Sequence, residues 1–402
     1  MPLDTGDTSF MLVATALVMI MTPGLAFFYG GLVSRKNVLA IMMQSYVSMG
    51  VSTILWVAVG YSLCFSGDVG GIIGNLDMAF LRGIEPTDLF GGADGTIPLL
   101  LFVAYQMMFA IITPALITGA FANRITFKAY LIFLVAWQIL VYYPFVHMIW
   151  GGGMLADWGV LDFAGGIVVH ALAGMAALAS VIYVGKRRVE DAGAHNVPFV
   201  AIGAALLWFG WFGFNAGSEL AVDEVTAVAF INTQIAAAFA AITWLLLAWL
   251  YDGKPSFVEM LIGMIAGLAT ITPAAGFVSP QSAMLIGVAA GAVCYFAVVF
   301  RKKKGLDDAL DVWGVHGVGG ALGIIMLGVL ASESIGGQNG LYHGNQDFFM
   351  VQLAGLALAC VWAFAFTYGM LMMIDMITPV RVTDEAEAAL DVTLHGESAY
   401  ID

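Results

Sequence analysis

The chain contains two stretches with one shared pattern, Asp162-Phe-Ala-Gly-Gly-Ile-Val-Val-His170 and Asp308-Ala-Leu-Asp-Val-Trp-Gly-Val-His316. In each stretch an Asp precedes the His by eight residues, and a Gly, Gly174 or Gly320, follows the His by four. An ionisable side chain at membrane depth costs free energy and by default marks a path for ions or protons. Two such histidines at corresponding places indicate one site built by an internal repeat.

The composition around these stretches is that of a membrane protein. Of 402 residues, 61% are hydrophobic and 10% are charged, with a mean hydropathy of +0.93. A soluble domain carries about 25% charged residues. Because backbone groups in lipid must be satisfied within each segment, long spans of this kind are helices, and the fold class is predicted to be all-α. Eleven stretches reach the roughly 20 residues that a span needs, at about 9–32, 38–63, 97–121, 128–149, 164–184, 198–218, 226–250, 257–278, 281–300, 313–332 and 348–378.

The basic residues orient these predicted spans. Only Arg82 lies on one side, and thirteen lie on the other: Arg35, Lys36, Arg124, Lys128, Lys186, Arg187, Arg188, Lys254, Arg301, Lys302, Lys303, Lys304 and Arg381. Cytoplasmic loops carry the excess of Lys and Arg. The pattern therefore predicts an outer N-terminus and a cytoplasmic C-terminus. Residues 4–20 lack a positive n-region and are predicted to begin the first span rather than a signal peptide.

The charge and the cysteines exclude other classes. The net charge of −14 argues against a nucleic-acid-binding protein. The three cysteines, Cys64, Cys294 and Cys360, show no metal-ligand spacing. No cofactor and no metal is predicted.

The spans divide into two halves of five. Residues 1–184 and 185–346 are predicted to be inverted repeats, followed by an eleventh helix over 347–380 and a cytoplasmic tail over 381–402. Inverted halves place the substrate site between them, near the midplane. Asp162 is predicted at an outer end and Asp308 near an inner end, and eight helical residues rise about 12 Å. In a core of about 30 Å the two histidines then lie within roughly 6 Å of each other along the membrane normal.

Each candidate residue also has an ordinary structural interpretation. A buried His can simply bond a local carbonyl, but the matched positions of His170 and His316 favour a shared site. A metal site is disfavoured, since no third ligand stands at suitable spacing. Asp162 is most simply a helix N-cap, which is compatible with a role in holding a cation. Surface or interfacial roles are predicted for the other four histidines: His147, His195, His343 and His395.

Aromatic and hydroxyl residues gather at predicted outer ends of the spans. Trp150 and Ser218 lie at two of these ends, and Phe109 lies in the third predicted span. Aromatic faces with a hydroxyl acceptor can hold a small cation. The alternative is the aromatic belt found at every membrane interface, and composition alone favours the belt.

Several motifs, taken together and in order, resemble the ammonium transporter family (Amt/Mep/Rh), specifically its Amt branch. The resemblance extends over essentially the whole chain. It is carried by Pro23-Gly24-Leu-Ala-Phe-Phe-Tyr-Gly-Gly31, Gly119-Ala-Phe-Ala-Asn-Arg124, the stretch ending at His170, Trp211-Phe-Gly-Phe-Asn-Ala-Gly-Ser218 and Asp311-Val-Trp-Gly-Val-His316-Gly.

The resemblance implies roles for eight residues. An outer recruitment site for ammonium would comprise Phe109, Trp150 and Ser218, with Asp162 beneath it. An aromatic gate of Phe109 and Phe214, with Trp211 beside the pore, would lead to the twin histidines, His170 and His316. The resemblance also implies eleven spans, a homotrimer with one pore per subunit, a multi-pass protein of the plasma or inner membrane, and a PII-type regulator at the cytoplasmic face.

The expected activity is electrogenic ammonium transport rather than enzymatic catalysis, because no nucleophile–base pair or metal triad lies within the predicted spans. A passive NH3 channel and an ammonium sensor remain as alternatives at this stage.

Overall fold

The structure, a computed structural model, describes residues 3–189 and 193–400. Within these ranges the chain is helical, with three isolated β-bridges and no strand. The predicted all-α fold class is therefore confirmed.

Eleven long apolar segments make up the body of the fold. They are α1 (Thr5–Leu32), α2 (Val38–Phe65), α3 (Leu99–Ile117), α4 (Phe127–Asp157), α5 (Gly166–Val184), α6 (Val197–Glu219), α7 (Glu224–Asp252), α8 (Phe257–Ile271), α9 (Pro280–Lys304), α10 (Trp313–Leu330) and α11 (Gln346–Asp375). Ten of those described are long and apolar enough to cross a membrane, and α8 is shorter, at 15 residues. The protein is thus a multi-pass membrane protein, and the count of eleven crossings stays a prediction that depends on α8.

The end of α8 differs from the sequence prediction of a span over 257–278. The helix stops at Ile271, two residues before Pro273, because proline has no backbone N–H to continue the helical hydrogen bonds and its ring clashes with the carbonyl four residues earlier. The chain continues as buried turns, and the Asn232 side chain of α7 donates to the carbonyls of Ala275 and Val278, at 2.9 and 2.8 Å. Non-helical backbone is tolerated inside a membrane protein when the protein itself satisfies its polar groups in this way.

Glycines set the close packing of α1 against α6. A Cβ at Gly203 would lie 2.2 Å from the backbone nitrogen of Phe28, and a Cβ at Gly24 would lie 2.9 Å from Leu206 Cβ. Small residues let membrane helices approach until their backbones touch. This contact joins the first helices of the two predicted halves.

The segment after α11 folds back onto the ends of other helices. Arg381 donates to the carbonyl of Val184 at the end of α5 and to the Glu387 carboxylate. The backbone N–H of Ala40 in α2 donates to Asp391 at 2.8 Å. Further along, the Tyr400 hydroxyl lies 2.8 Å from a ring nitrogen of His195. The described part of the tail is therefore a docked structural element.

Candidate functional site

The two matched histidines meet inside the helix bundle. His170 lies in a π-helical turn over Gly166–Ala171 and His316 in another over Trp313–Gly317. Their Nδ1 atoms are 3.2 Å apart, and their rings stack with centroids 5.2 Å apart. Both side chains are buried, with 1% and 4% of their surface exposed. The sequence-based expectation that they lie close together is met by this geometry.

Glycines explain how the histidines come so close. A Cβ at Gly174, four residues after His170, would lie 2.0 Å from the Cα of Gly317. A Cβ at Gly320, four residues after His316, would lie 2.8 Å from His170 Cβ. The helices α5 and α10 therefore cross where each has glycine, and the crossing holds the two imidazoles in contact.

A narrow lumen runs beside the histidine pair. The cavity has a volume of about 10 Å³ and is lined mainly by apolar side chains, among them Leu25, Ile112 and Ile265. This volume is near the smallest space that holds one water-sized molecule. Nε2 of His170 is buried and has no hydrogen-bond partner among the described residues. The lumen thus offers one small molecule the free Nε2 of His170 in mainly apolar surroundings.

Aromatic rings form a continuous path from the histidines toward a mouth at one end of the bundle, which the sequence predicts to be the outer end. The ring of His170 stacks on Trp211 and Phe214, with centroids 5.5 and 6.0 Å away. Phe214 in turn lies 4.4 Å from Phe109, and Phe109 lies 6.0 Å from Trp150. The Phe109–Phe214 contact fills the space between the mouth and the lumen. A molecule can therefore pass only when these two rings move apart.

This mouth combines ring faces with a hydroxyl. A cavity of about 280 Å³ is bordered by Gln106, Phe109, Trp150 and Ser218. The Ser218 hydroxyl donates to the Phe214 carbonyl at 2.8 Å. Since its proton is used there, the oxygen of Ser218 keeps lone pairs that can accept hydrogen bonds. The mouth can therefore hold a small cation with N–H donors between ring faces and an oxygen acceptor.

Asp162 lies below the mouth and caps α5. Its two carboxylate oxygens accept the backbone N–H groups of Gly165, Gly166, Ile167 and Val168, at 2.5 to 3.1 Å. Burial raises the pKa of this carboxyl against these four donors, which lower it. Its backbone carbonyl also accepts from the Trp150 indole at 2.8 Å. The residue fixes both the start of α5 and the orientation of Trp150.

Asp308 is the counterpart of Asp162 at the start of α10. One carboxylate oxygen accepts the backbone N–H of Trp313 at 2.7 Å. Burial, together with the neighbouring Asp311 carboxylate, raises the pKa of Asp308 to about 6. Both matched Asp–His stretches therefore use the Asp to anchor the turn that carries the His.

Three residues of the site were not predicted from the sequence. Tyr105 places its hydroxyl 3.2 Å from that of Ser218, and Thr272 accepts the Trp211 indole N–H at 2.9 Å. The surface or interfacial role predicted for His147 is wrong, because its side chain is fully buried and its ring nitrogens lie 3.0 Å from the Cys64 carbonyl and from Asp68. The sequence near His147 gave no signal of this burial, because its partners lie 83 and 79 residues away in the chain.

Over residues 3–189 and 193–400, no three His, Cys, Asp or Glu side chains are grouped so that they could hold a metal ion.

The helices, the apolar lumen and the buried histidine pair define the class, a polytopic membrane protein of the transporter or channel type. Residues 9–400 match the model of the Ammonium Transporter Family. The chain is 46% identical over 407 residues to the ammonium transporter of Bacillus subtilis, covering 100% of both chains. It is 43% identical to the ammonium transporter Amt1 of Archaeoglobus fulgidus, covering 99% of this chain and 100% of that one. The chain therefore belongs to the ammonium transporter family.

Solved structures agree with this assignment. The crystal structure of Saccharomyces cerevisiae Mep2 matches with a TM-score of 0.90 at 32% identity, covering 100% of this chain and 94% of that one.

Proposed function

We propose that the protein carries ammonium across the cell membrane, taking up NH4+ at the outer mouth and passing NH3 and the proton separately through the pore. The observation that carries this proposal is the 3.2 Å contact between His170 and His316 inside an apolar lumen. A bare cation at the centre of a membrane costs several kcal/mol. Splitting the cation removes that cost for the nitrogen, and the histidines provide the route for the proton.

Recruitment takes place between Phe109, Trp150 and Ser218. The ring faces attract the cation, with about 0.5–2 kcal/mol for a cation over an aromatic ring. The Ser218 oxygen accepts one N–H, because its own proton is donated to the Phe214 carbonyl. Asp162 acts here by holding the Trp150 indole and the first turn of α5. A hydrated potassium ion finds the same ring faces, but it has no proton to give up.

Passage through the gate follows deprotonation. Phe109 and Phe214 must separate or slide for a molecule to pass, since their ring centroids are 4.4 Å apart. Trp211 borders the path on the inner side and is held by Thr272. Neutral NH3 fits the small apolar lumen that follows, whereas an ion would lose its hydration without compensation.

The histidine pair supports a proton relay. In a hydrogen bond between two Nδ1 atoms, one histidine donates its Nδ1–H and the other accepts with its Nδ1. Two imidazolium ions at this distance would repel each other, so the pair takes up at most one extra proton at a time. When His170 is the Nδ1–H donor, a proton taken up at its free Nε2 is balanced by transfer of its Nδ1–H to Nδ1 of His316 and by release of the Nε2–H of His316 on the far side of the pair. Charge then crosses with each ammonium, and the transport is electrogenic.

Four further proposals concern orientation and assembly. The N-terminus lies outside, residues 1–184 and 185–346 form inverted halves, the molecule is a homotrimer, and a PII-type protein binds the cytoplasmic face. The crossing of α5 with α10 and the distribution of Lys and Arg support the first two. Large exposed apolar side chains on α7 and α9, such as Leu250 and Leu285, leave surface for neighbouring subunits or lipid. Light scattering of the purified protein measures the subunit number, and a mass of one or two subunits would contradict the trimer.

The test of transport is the current on a solid-supported membrane carrying proteoliposomes of the protein. A pulse of ammonium is expected to give a transient current that a pulse of potassium at the same concentration does not give. Ammonium uptake without current would favour a passive NH3 channel instead. Binding without uptake would favour a sensor, and the proposed transport would then be wrong.

A further inference from the structure

A second cavity opens beside the proposed recruitment site. Its volume is about 370 Å³, and its lining includes Trp150, Asp162, Ser218 and Glu219. It shares Trp150 and Ser218 with the cavity at the mouth. Glu219 directly follows Ser218 in the chain and is half-buried at the end of α6. A carboxylate therefore lies next to the hydroxyl that is proposed to accept the cation.

The Glu219 carboxylate has no charged or hydrogen-bonding partner among the described residues. No hydrogen bond or ion pair to its carboxylate is formed by the residues that the structure describes. Asp162, the other carboxylate on this cavity, differs, because its oxygens are committed to four backbone N–H groups at a helix N-terminus. Asp223 nearby is committed to capping α7 through Thr226. Glu219 is thus the carboxylate of this mouth that is left to act on an approaching cation.

Few positive charges oppose it on this side of the protein. Of the fourteen Lys and Arg residues, only Arg82 belongs to the predicted outer loops. The Arg82 side chain bonds the backbone carbonyls of its own loop, at Ala79 and Leu76, and it does not line either cavity. No Lys or Arg among the described residues lines either cavity, so the Glu219 carboxylate faces no neighbouring cation there.

We infer that Glu219 sets the apparent affinity for ammonium by concentrating cations at the Ser218–Trp150 mouth, without itself taking part in deprotonation or in passage through the pore. This inference rests on the proposed transport function. Adjacent residues have Cα atoms 3.8 Å apart, so the carboxylate lies on the order of 8 Å from a cation at Ser218. At this distance one negative charge raises the local cation concentration about 2-fold at the dielectric constant of water, and more in a cleft with apolar walls.

The effect must depend on ionic strength. The screening length is about 30 Å at 0.01 M salt and about 3 Å at 1 M salt. Attraction by Glu219 therefore operates at low salt and is largely lost at high salt. A purely structural role of the side chain has no such dependence.

The test is Glu219→Gln, which removes the charge and keeps the shape. The initial rate of ammonium uptake into proteoliposomes is measured against ammonium concentration, in low salt and in high N-methylglucamine chloride. We expect the half-saturating concentration to rise about 3- to 10-fold at low salt with an unchanged maximal rate, and to fall within about 2-fold of the wild type at high salt. Glu219→Asp should stay near the wild type. Asp94→Asn, which removes one exposed charge that lines neither cavity, serves as the matched control and should change nothing.

The outcomes distinguish failure of the role inferred for Glu219 from failure of the proposed transport function. An unchanged half-saturating concentration in Glu219→Gln, an increase that persists at high salt, or an equal increase in Asp94→Asn would overturn the role of Glu219 while leaving transport intact. Absence of uptake by the wild-type protein would instead overturn the proposed function on which the inference rests.

Discussion

Gly174→Ala adds a single carbon atom at the point where α5 and α10 cross. The added Cβ would lie 2.0 Å from the Cα of Gly317. Non-bonded carbons rest about 3.5–4.0 Å apart. The two helices must therefore separate by about 1.5 Å or more, because the atom that is struck belongs to the backbone and cannot rotate away. His170 and His316, now 3.2 Å apart, would then lie beyond hydrogen-bond reach.

The expected result is a folded protein whose ammonium current is lost, at a cost in stability of about 1–3 kcal/mol for an overpacked contact. Currents on a solid-supported membrane and melting in detergent are measured together. Gly369→Ala is the control, since a Cβ at that position of α11 meets nothing within 4 Å. Gly320→Ala is a milder variant, with its nearest contact at 2.7 Å, and should reduce the current less. A Gly174→Ala protein with wild-type current would refute the claim that this crossing holds a working histidine pair.

Three further changes have defined outcomes. Trp150→Leu should raise the half-saturating ammonium concentration for uptake by about 2- to 30-fold, because the cation–ring attraction is lost. An unchanged concentration would show that Trp150 is not part of the recruitment site. Ser218→Ala should raise it by about 2- to 10-fold through loss of one acceptor, and a larger effect on the maximal rate than on this concentration would point to a role in the pore. Burial and Asp311 raise the pKa of Asp308 from 3.8 to about 6, so the folded protein holds this proton more tightly than the unfolded chain does. The stability contributed by protonated Asp308 is fully present below pH 4 and is lost as the pH rises to about 6, so the melting temperature should fall over this range. Asp308→Asn should make this fall less steep. An equally steep fall in the variant would contradict the assignment to Asp308.

The repeated Asp–His spacing made the centre of the site predictable from the sequence. Eight residues separate Asp162 from His170 and Asp308 from His316, and the resemblance to the family assigned the aromatic residues around them. The π-helical turns that carry both histidines were not predicted. A single π turn spans too few residues to be recognised from side-chain periodicity.

Other features depended on contacts between residues far apart in the chain. The burial of His147 follows from a loop that brings Asp68 and the Cys64 carbonyl to it, which local sequence does not report. Docking of the tail joins Asp391 to Ala40 across the whole length of the chain. The early end of α8 was different, because Pro273 was a local signal for it and the predicted span over 257–278 ran past that signal.

The central claim is that a proton crosses with each ammonium through the contact between His170 and His316. The most direct measurement is the ammonium-evoked current of the wild-type protein and of His170→Ala, with potassium pulses in parallel. The account predicts an ammonium-specific current in the wild type. In His170→Ala it predicts either no current or a leak that potassium shares. An unaltered, ammonium-specific current in His170→Ala would contradict it.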